Sequence, residues 1–154
     1  MSKTHYVNCI LMSEDRSEIC VIFKQRGPSE VLHKFNFIGG KVEPDENLQQ
    51  AVIREVKEET GLDLNGETID LLLSVEEEHY LLDNHVAFIP KWKLRQARTC
   101  ESEKISILTT ENLLHELNEL PNKYAPSFKM LFNAALAYIE LPRPKERGFL
   151  FHWK

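Results

Sequence analysis

Strands interrupted by helices predict an α/β or α+β sandwich, folded as one domain over residues 1–154. Three observations carry that expectation. Short apolar runs of strand period recur along the chain, and one stretch from Glu46 to Thr60 follows the helical period without Gly or Pro. No repeat or low-complexity linker divides the sequence. A length of 154 residues, 42% hydrophobic and 28% charged, suits one core of ordinary soluble composition.

Tyr6 to Met12 and Ile19 to Lys24 read as strands joined by the polar turn Ser13 to Ser17. Gln25 to Lys34, with Gly27-Pro28, reads as a loop, and Phe35 to Ile38 as a short strand entering Gly39-Gly40. Pro44-Asp45 then offers a turn with an Asx-type start. Helix formers dominate from Glu46 to Thr60, Leu48, Val52 and Val56 recur four apart as a buried stripe, and Gly61 suits the position just past a helix. Thr68 to Leu82 and His85 to Leu94 read as two longer strands linked through Asp83-Asn84. Ile105 to Leu108 is a further short strand. Thr110 precedes a helix through Leu117 that ends near Pro121. A last helix runs from about Pro126 to Ile139, with Phe128, Leu131, Phe132, Ala135 and Ile139 on its apolar stripe. Gly148 to Trp153 reads as an edge strand or a cover for the core. Its aromatic residues fold back or meet a partner, so monomer and homodimer both stay open.

Composition narrows the function. A net charge of −5 with no basic stripe argues against binding a nucleic-acid polymer. Cys9, Cys20 and Cys100 are widely spaced, without a Cys-x-x-Cys pair, and suggest reduced thiols in the cytoplasm. No signal-peptide core and no apolar run of membrane-spanning length is present, so neither export nor a membrane is expected. His79, His85 and His115 lack metal-binding spacing and read as surface or packing residues.

The chemistry concentrates in residues 40–62, GKVEPDENLQQAVIREVKEETGL. At about 100° per residue, Glu55, Glu58 and Glu59 project from adjoining positions of one helix. Three carboxylates in one small volume repel and raise each other's pKa unless divalent cations fill the space. Oxygen-only ligands favour Mg²⁺ or Mn²⁺ over zinc. A solvated acidic face is the usual meaning of a glutamate-rich helix, and composition alone favours it. Spacing reverses that judgement.

Gly40, Glu46, Arg54, Glu55, Val56, Glu58, Glu59, Gly61 and Leu62 match without a gap the signature G-x5-E-x7-R-E-U-x-E-E-x-G-U, where U is bulky and aliphatic. The segment therefore resembles the Nudix family. The resemblance implies the Nudix fold, a mixed β-sheet sandwiched between α-helices. It also implies hydrolysis of a nucleoside diphosphate linked to another group, with a small-molecule nucleotide as substrate. It implies Glu55, Glu58 and Glu59 as ligands of Mg²⁺, with Mn²⁺ as the alternative, the Gly39 carbonyl as a further ligand, and Glu46 bracing Arg54 or binding metal through water. Arg54 would orient a box glutamate, and a purely structural ion pair with Glu46 is an equal alternative. Family members take their general base from the box, here Glu58, or from a distant loop, here Glu103 or Glu101. Taken singly, each loop residue reads as an exposed charge.

Substrate contacts are less determined. Phe35 to Glu43 is similar to the same stretch in family members acting on (d)NTPs, which makes Phe37 or Phe35 a candidate for stacking on a base. Strand alternation buries at least one of them. Lys41 is a phosphate candidate, against the default of a solvated lysine. Tyr124 falls where the nucleotide-sanitising branch reads guanine with asparagine, with Asn118 and Asn122 nearby. Tyr80 lies near a tyrosine of the diadenosine polyphosphate hydrolases, and also suits a plain strand position. The expected activity is Mg²⁺-dependent conversion of (d)NTPs or modified nucleotides to the monophosphate and pyrophosphate. The alternatives are a dinucleoside polyphosphate or ADP-ribose hydrolase, and a catalytically weak nucleotide-binding module. An isopentenyl-diphosphate-isomerase-like enzyme shares the fold but needs a catalytic cysteine, and none of the three cysteines sits in such a context.

Overall fold

The computed structural model describes residues 2–138, so Ile139 and the strand expected within 148–153 lie outside the described residues. The elements follow in the order β1 (Thr4–Ser13), β2 (Glu18–Phe23), β3 (Phe35–Asn36), β4 (Ile38–Lys41), α1 (Leu48–Thr60), β5 (Asp70–Glu76), β6 (Tyr80–Ile89), α2 (Lys91–Leu94), β7 (Lys104–Thr109), α3 (Thr110–Glu119) and α4 (Phe128–Ala137). A short 3-10 turn over Pro121–Lys123 separates the last two.

The strands form one mixed sheet in the order β3-β2-β1-β6-β5, with β4 beside β1 and β7 beside β2. The pairing of β1 with β6 is parallel, from Thr4 opposite Tyr80 to Ser13 opposite Ile89, and the other named ladders are antiparallel. Alternation along β1 sends Val7, Cys9 and Leu11 to the face covered by α1, and Ile10 and Met12 to the face covered by α3 and α4. The sheet is thus buried between two helical layers, as the sandwich expectation required.

Local chemistry sets the helix ends. Asn47 caps α1: its side chain accepts from Gln50 N–H at 2.8 Å, and the Gln50 side chain accepts from Asn47 N–H at 2.8 Å. The Asx start expected at Asp45 is therefore displaced by two residues, and Asp45 instead takes the left-handed conformation, φ 69°. Gly61 closes the helix at φ 79°, which glycine adopts freely. Val52 and Val56 are buried as expected, with Leu48 half-buried at the margin of the same core. At the far end of the molecule Arg16 reaches the end of α4, donating to the Leu136 carbonyl at 2.8 Å, and lies 4.3 Å from the Phe88 ring centroid.

One boundary is corrected. The turn between the long strands lies at Glu77 to His79, and Asp83-Asn84 sits inside β6 with both residues buried. Asp83 accepts from Ser74 Oγ and pairs with His5 Nε2, while Asn84 bonds Asn8 and the Leu73 carbonyl. Four partners satisfy a polar pair that otherwise reads as turn chemistry. The second strand also ends earlier than expected, because Pro90 opens α2.

Cys9 and Cys20 are buried, and burial pushes both thiols up to about 12, whereas Cys100 is exposed. A chromogenic disulfide reagent is expected to titrate one thiol per native chain within minutes, and all 3 cysteines in denaturant. Rapid reaction of two or more under native conditions would contradict the burial. Among the described residues, no helix is long and apolar enough to cross a membrane.

Candidate metal and catalytic site

The site is built on α1 and the strand end that faces it. β4 pairs with β1 so that Gly40 lies opposite Val7 and Gly39 opposite Asn8. The two glycines therefore face opposite sides of the sheet. A Cβ on Gly40 would collide with the Glu55 carboxylate, and one on Gly39 with the Val7 carbonyl and the Asn8 side chain. Glycine at 40 is what lets α1 bring Glu55 against the backbone.

Arg54 ties the segment together. Its Nε and Nη2 hold both oxygens of Glu46, at 3.0 and 2.6 Å, and Nη2 also donates to the Lys41 carbonyl at 2.9 Å. Its Nη1 reaches Glu55 at 2.8 Å and Glu58 at 3.3 Å. Glu46 also accepts from Glu43 N–H at 2.8 Å, closing the loop between β4 and α1. The guanidinium holds the Glu46 carboxyl below its ordinary value, and its own pKa is raised chiefly by Glu46. Arg54 and Glu46 thus form the loop-to-helix ion pair that the sequence offered as one alternative.

The remaining box carboxylates differ in environment. Glu58 is half-exposed. Burial is the main cause that raises Glu55, with Arg54 opposing it. Glu59 is only 9% exposed, and its Oε2 is the one buried side-chain oxygen or nitrogen among the described residues that has no hydrogen-bond partner. Burial first, then the charges of Glu101, Glu55 and Glu103, push Glu59 up to about 7, while Lys24 works the other way.

A strap of loop carries the two outer glutamates to this point. Arg98 N–H donates to the Thr60 carbonyl at 3.1 Å and Cys100 N–H to the Glu59 carbonyl at 3.3 Å, satisfying the end of α1. Glu101 follows directly and is exposed. Glu103, expected as an exposed loop charge, is instead buried at 3% exposure, accepting from Gln25 N–H at 2.6 Å with Lys24 Nζ at 3.5 Å. Lys24 was missed by sequence reading, since a lysine ending a strand carries no signal of its own. Only the sheet brings it beside the acidic helix.

The donor set fits a hard divalent cation. All candidate side-chain ligands are carboxylate oxygens, Glu59 has an orphaned buried oxygen, and the missing side chain at Gly40 makes room for the Glu55 carboxylate. Among the described residues, no three His, Cys, Asp or Glu side chains are drawn into a ready cage, because Arg54 engages Glu55 and Glu58.

The substrate candidates divide. Phe37 is enclosed at 2% exposure with its ring stacked 4.2 Å from Phe128, so the base-stacking role expected of it is withdrawn. Tyr124 is also withdrawn. It is 3% exposed, packs on Phe35 and Phe128, and donates its hydroxyl to Glu116 at 2.7 Å. Lys41 and Tyr80 remain at the surface.

The NUDIX domain model matches residues 3–131. No curated protein sequence matches the chain significantly. Among solved structures, MutT of Aliivibrio salmonicida and Vibrio cholerae is similar over 89% of this chain and 100% of that one, with 19% identity and TM-score 0.67. MutT NUDIX hydrolase of Burkholderia pseudomallei matches over 87% and 98%, with 20% identity and TM-score 0.66. The NUDIX domain of Shewanella oneidensis NrtR, solved with ADP ribose, matches over 88% of each chain, with 17% identity and TM-score 0.66. At such identities the likeness is one of fold. The family model spans most of the sequence and includes an uninterrupted box, and on that ground this chain belongs to the Nudix family of hydrolases, which generally use a divalent metal.

Proposed function

We propose that the protein hydrolyses the diphosphate linkage of (d)NTPs or modified nucleotides to the monophosphate and pyrophosphate, with Mg²⁺ as its metal. The observation that carries this reading is the unpartnered, buried Oε2 of Glu59 beside Glu55, on a helix that Gly40 allows close to the backbone. A buried carboxylate without a donor costs stability, and a divalent cation shared with a diphosphate would repay that cost.

In this reading Glu55, Glu58 and Glu59 would hold the metal, with the Gly39 carbonyl as a further ligand. When bound, Mg²⁺ supplies charge withdrawal from the diphosphate and a lower pKa for a coordinated water. Water attacks the α-phosphorus, the bond to the bridging oxygen breaks, and the electron pair leaves with pyrophosphate. Glu58, the most exposed box carboxylate, accepts the water's proton. Arg54 keeps Glu55 oriented through its grip on Glu46. Lys24, held by buried Glu103 beside the acidic helix, and Lys41, exposed at the end of β4, offer positive charge to phosphate oxygens. Substrate is a free nucleotide in the cytoplasm, with no membrane and no nucleic-acid polymer involved.

Incubating the protein and Mg²⁺ with NTPs, dNTPs, 8-oxo-dGTP, ADP-ribose, diadenosine polyphosphates and nucleotide sugars tests this. Pyrophosphate release from triphosphates is the expected result. AMP with a second phosphorylated product would point to the dinucleoside polyphosphate or ADP-ribose reading. Binding without turnover across the panel would leave the nucleotide-binding module.

A further inference from the structure

β5 is the outermost strand at its side of the sheet, and among the described residues it pairs only with β6. An outer strand presents a row of backbone N–H and C=O groups, and folded proteins usually blunt that row with Lys, Pro or a covering segment. Asp70–Glu76 reads DLLLSVE and contains neither Lys nor Pro. A bulge between Leu71 and Leu73 breaks the ladder to β6 once, and from Leu73 to Glu76 the ladder runs regularly. Leu71 stands 52% exposed at this edge.

The chain leaving α4 arrives at the same edge. Tyr138 stacks on Phe88 at 6.2 Å and donates its hydroxyl to Asp70, the first residue of β5, at 2.8 Å. Residues 139–154 follow it in the sequence and lie outside the described residues. Within them Phe149, Phe151 and Trp153 recur at every second position, the pattern of a strand with one apolar face. From Tyr138 to Gly148 an extended chain spans about 30 Å, whereas a strand of the length of β5 is about 23 Å long. Residues 148–153 can therefore reach any point of this edge.

Charge favours the same meeting. Residues 139–154 carry Arg143, Lys145, Arg147 and Lys154 against Glu140 and Glu146, an excess of positive charge. Asp70 and the run Glu76-Glu77-Glu78 place acidic groups at both ends of β5, and Lys3, 2.6 Å from Glu76, offsets them only in part.

We propose that residues 148–153 of the same chain add to the outer edge of β5 as a further strand and cover Leu71. An edge covered in this way is closed to pairing with a second copy. Neither the metal ligands nor the substrate enters this contact, so it stands whether or not the proposed reaction holds.

Backbone NOEs in the isotope-labelled full chain test this directly. Contacts between amides of residues 148–153 and of residues 70–76 are expected. In a mixture of labelled and unlabelled protein, selecting for contacts between different chains should remove them. The double variant Phe149→Asp/Phe151→Asp is expected to abolish these contacts and to speed hydrogen exchange about tenfold at every second amide of β5, those on its outer side. Unchanged exchange in α1 shows that the variant keeps its fold, and the NOEs of the parent decide the matter if it does not. Absence of NOEs from residues 148–153 to β5, or contacts that survive selection for different chains and so put a second copy on the edge, would overturn the proposal. So would β5 amides that exchange alike in parent and folded variant.

Discussion

Glu59→Gln is expected to lower turnover by about 10²–10³-fold while making the metal-free protein harder to unfold. Both effects have one origin. Glu59 is buried with an oxygen that has no donor, and its pKa stands at about 7 against an ordinary 4.5. The folded-state value lies above the unfolded one, so ionised Glu59 opposes folding. That penalty is absent below about pH 4.5, grows as pH rises, and is complete above about pH 7. Allowing for solvent near the site, it is worth on the order of 2 kcal/mol. Glutamine removes the charge and keeps the volume. Urea unfolding in the presence of a chelator at pH 4.5 and pH 8 is the measurement. The variant should match the parent at the lower pH and exceed it at the higher. A variant less stable at pH 8 would mean that the carboxylate is satisfied in solution.

Arg54→Ala should have the second largest effect, and here activity and stability fall together. The side chain bridges Glu46, Glu55, Glu58 and the Lys41 carbonyl, so its loss frees the β4–α1 loop and leaves Glu46 and Glu55 without their cation. About 2 kcal/mol of stability and about 10²-fold in kcat are expected to go. Arg54→Lys should rescue little, because one ammonium cannot make the two-pronged contact with Glu46 while reaching Glu55. Hydrogen exchange gives a local readout: the amides of Glu43 and Glu46 should exchange faster in both variants. Full activity in Arg54→Lys would show that charge alone suffices.

Some of this site could be read from residue order, for a definable reason. Metal-type chemistry needs several carboxylates on one helical stripe, and Glu55, Glu58 and Glu59 declare that stripe by spacing alone. Gly61 likewise declares the helix end, since few other residues accept its backbone angle. What stayed hidden depends on partners distant in sequence. Asp83-Asn84 looks like a turn until His5, Asn8 and Ser74 arrive across the sheet to satisfy it. Glu103 looks like a solvated charge until the end of β2 offers it a backbone N–H. Phe35 and Phe37 have equal claims to a ligand until Phe128 takes the face of Phe37. Asn47 outcompetes Asp45 for the start of α1 because only Asn47 has Gln50 in place to complete the reciprocal pair.

The parallel pairing of β1 with β6 also bears on how the molecule assembles. β1 is the strand on which Gly39 and Gly40 rest, yet its longest neighbour, β6, is synthesised only after the acidic helix. Closing so distant a pair costs chain entropy before any contact rewards it, which slows folding. The carboxylates should therefore gain their final arrangement late. Nascent chains halted before Tyr80 would carry the whole glutamate motif and still lack a platform for it.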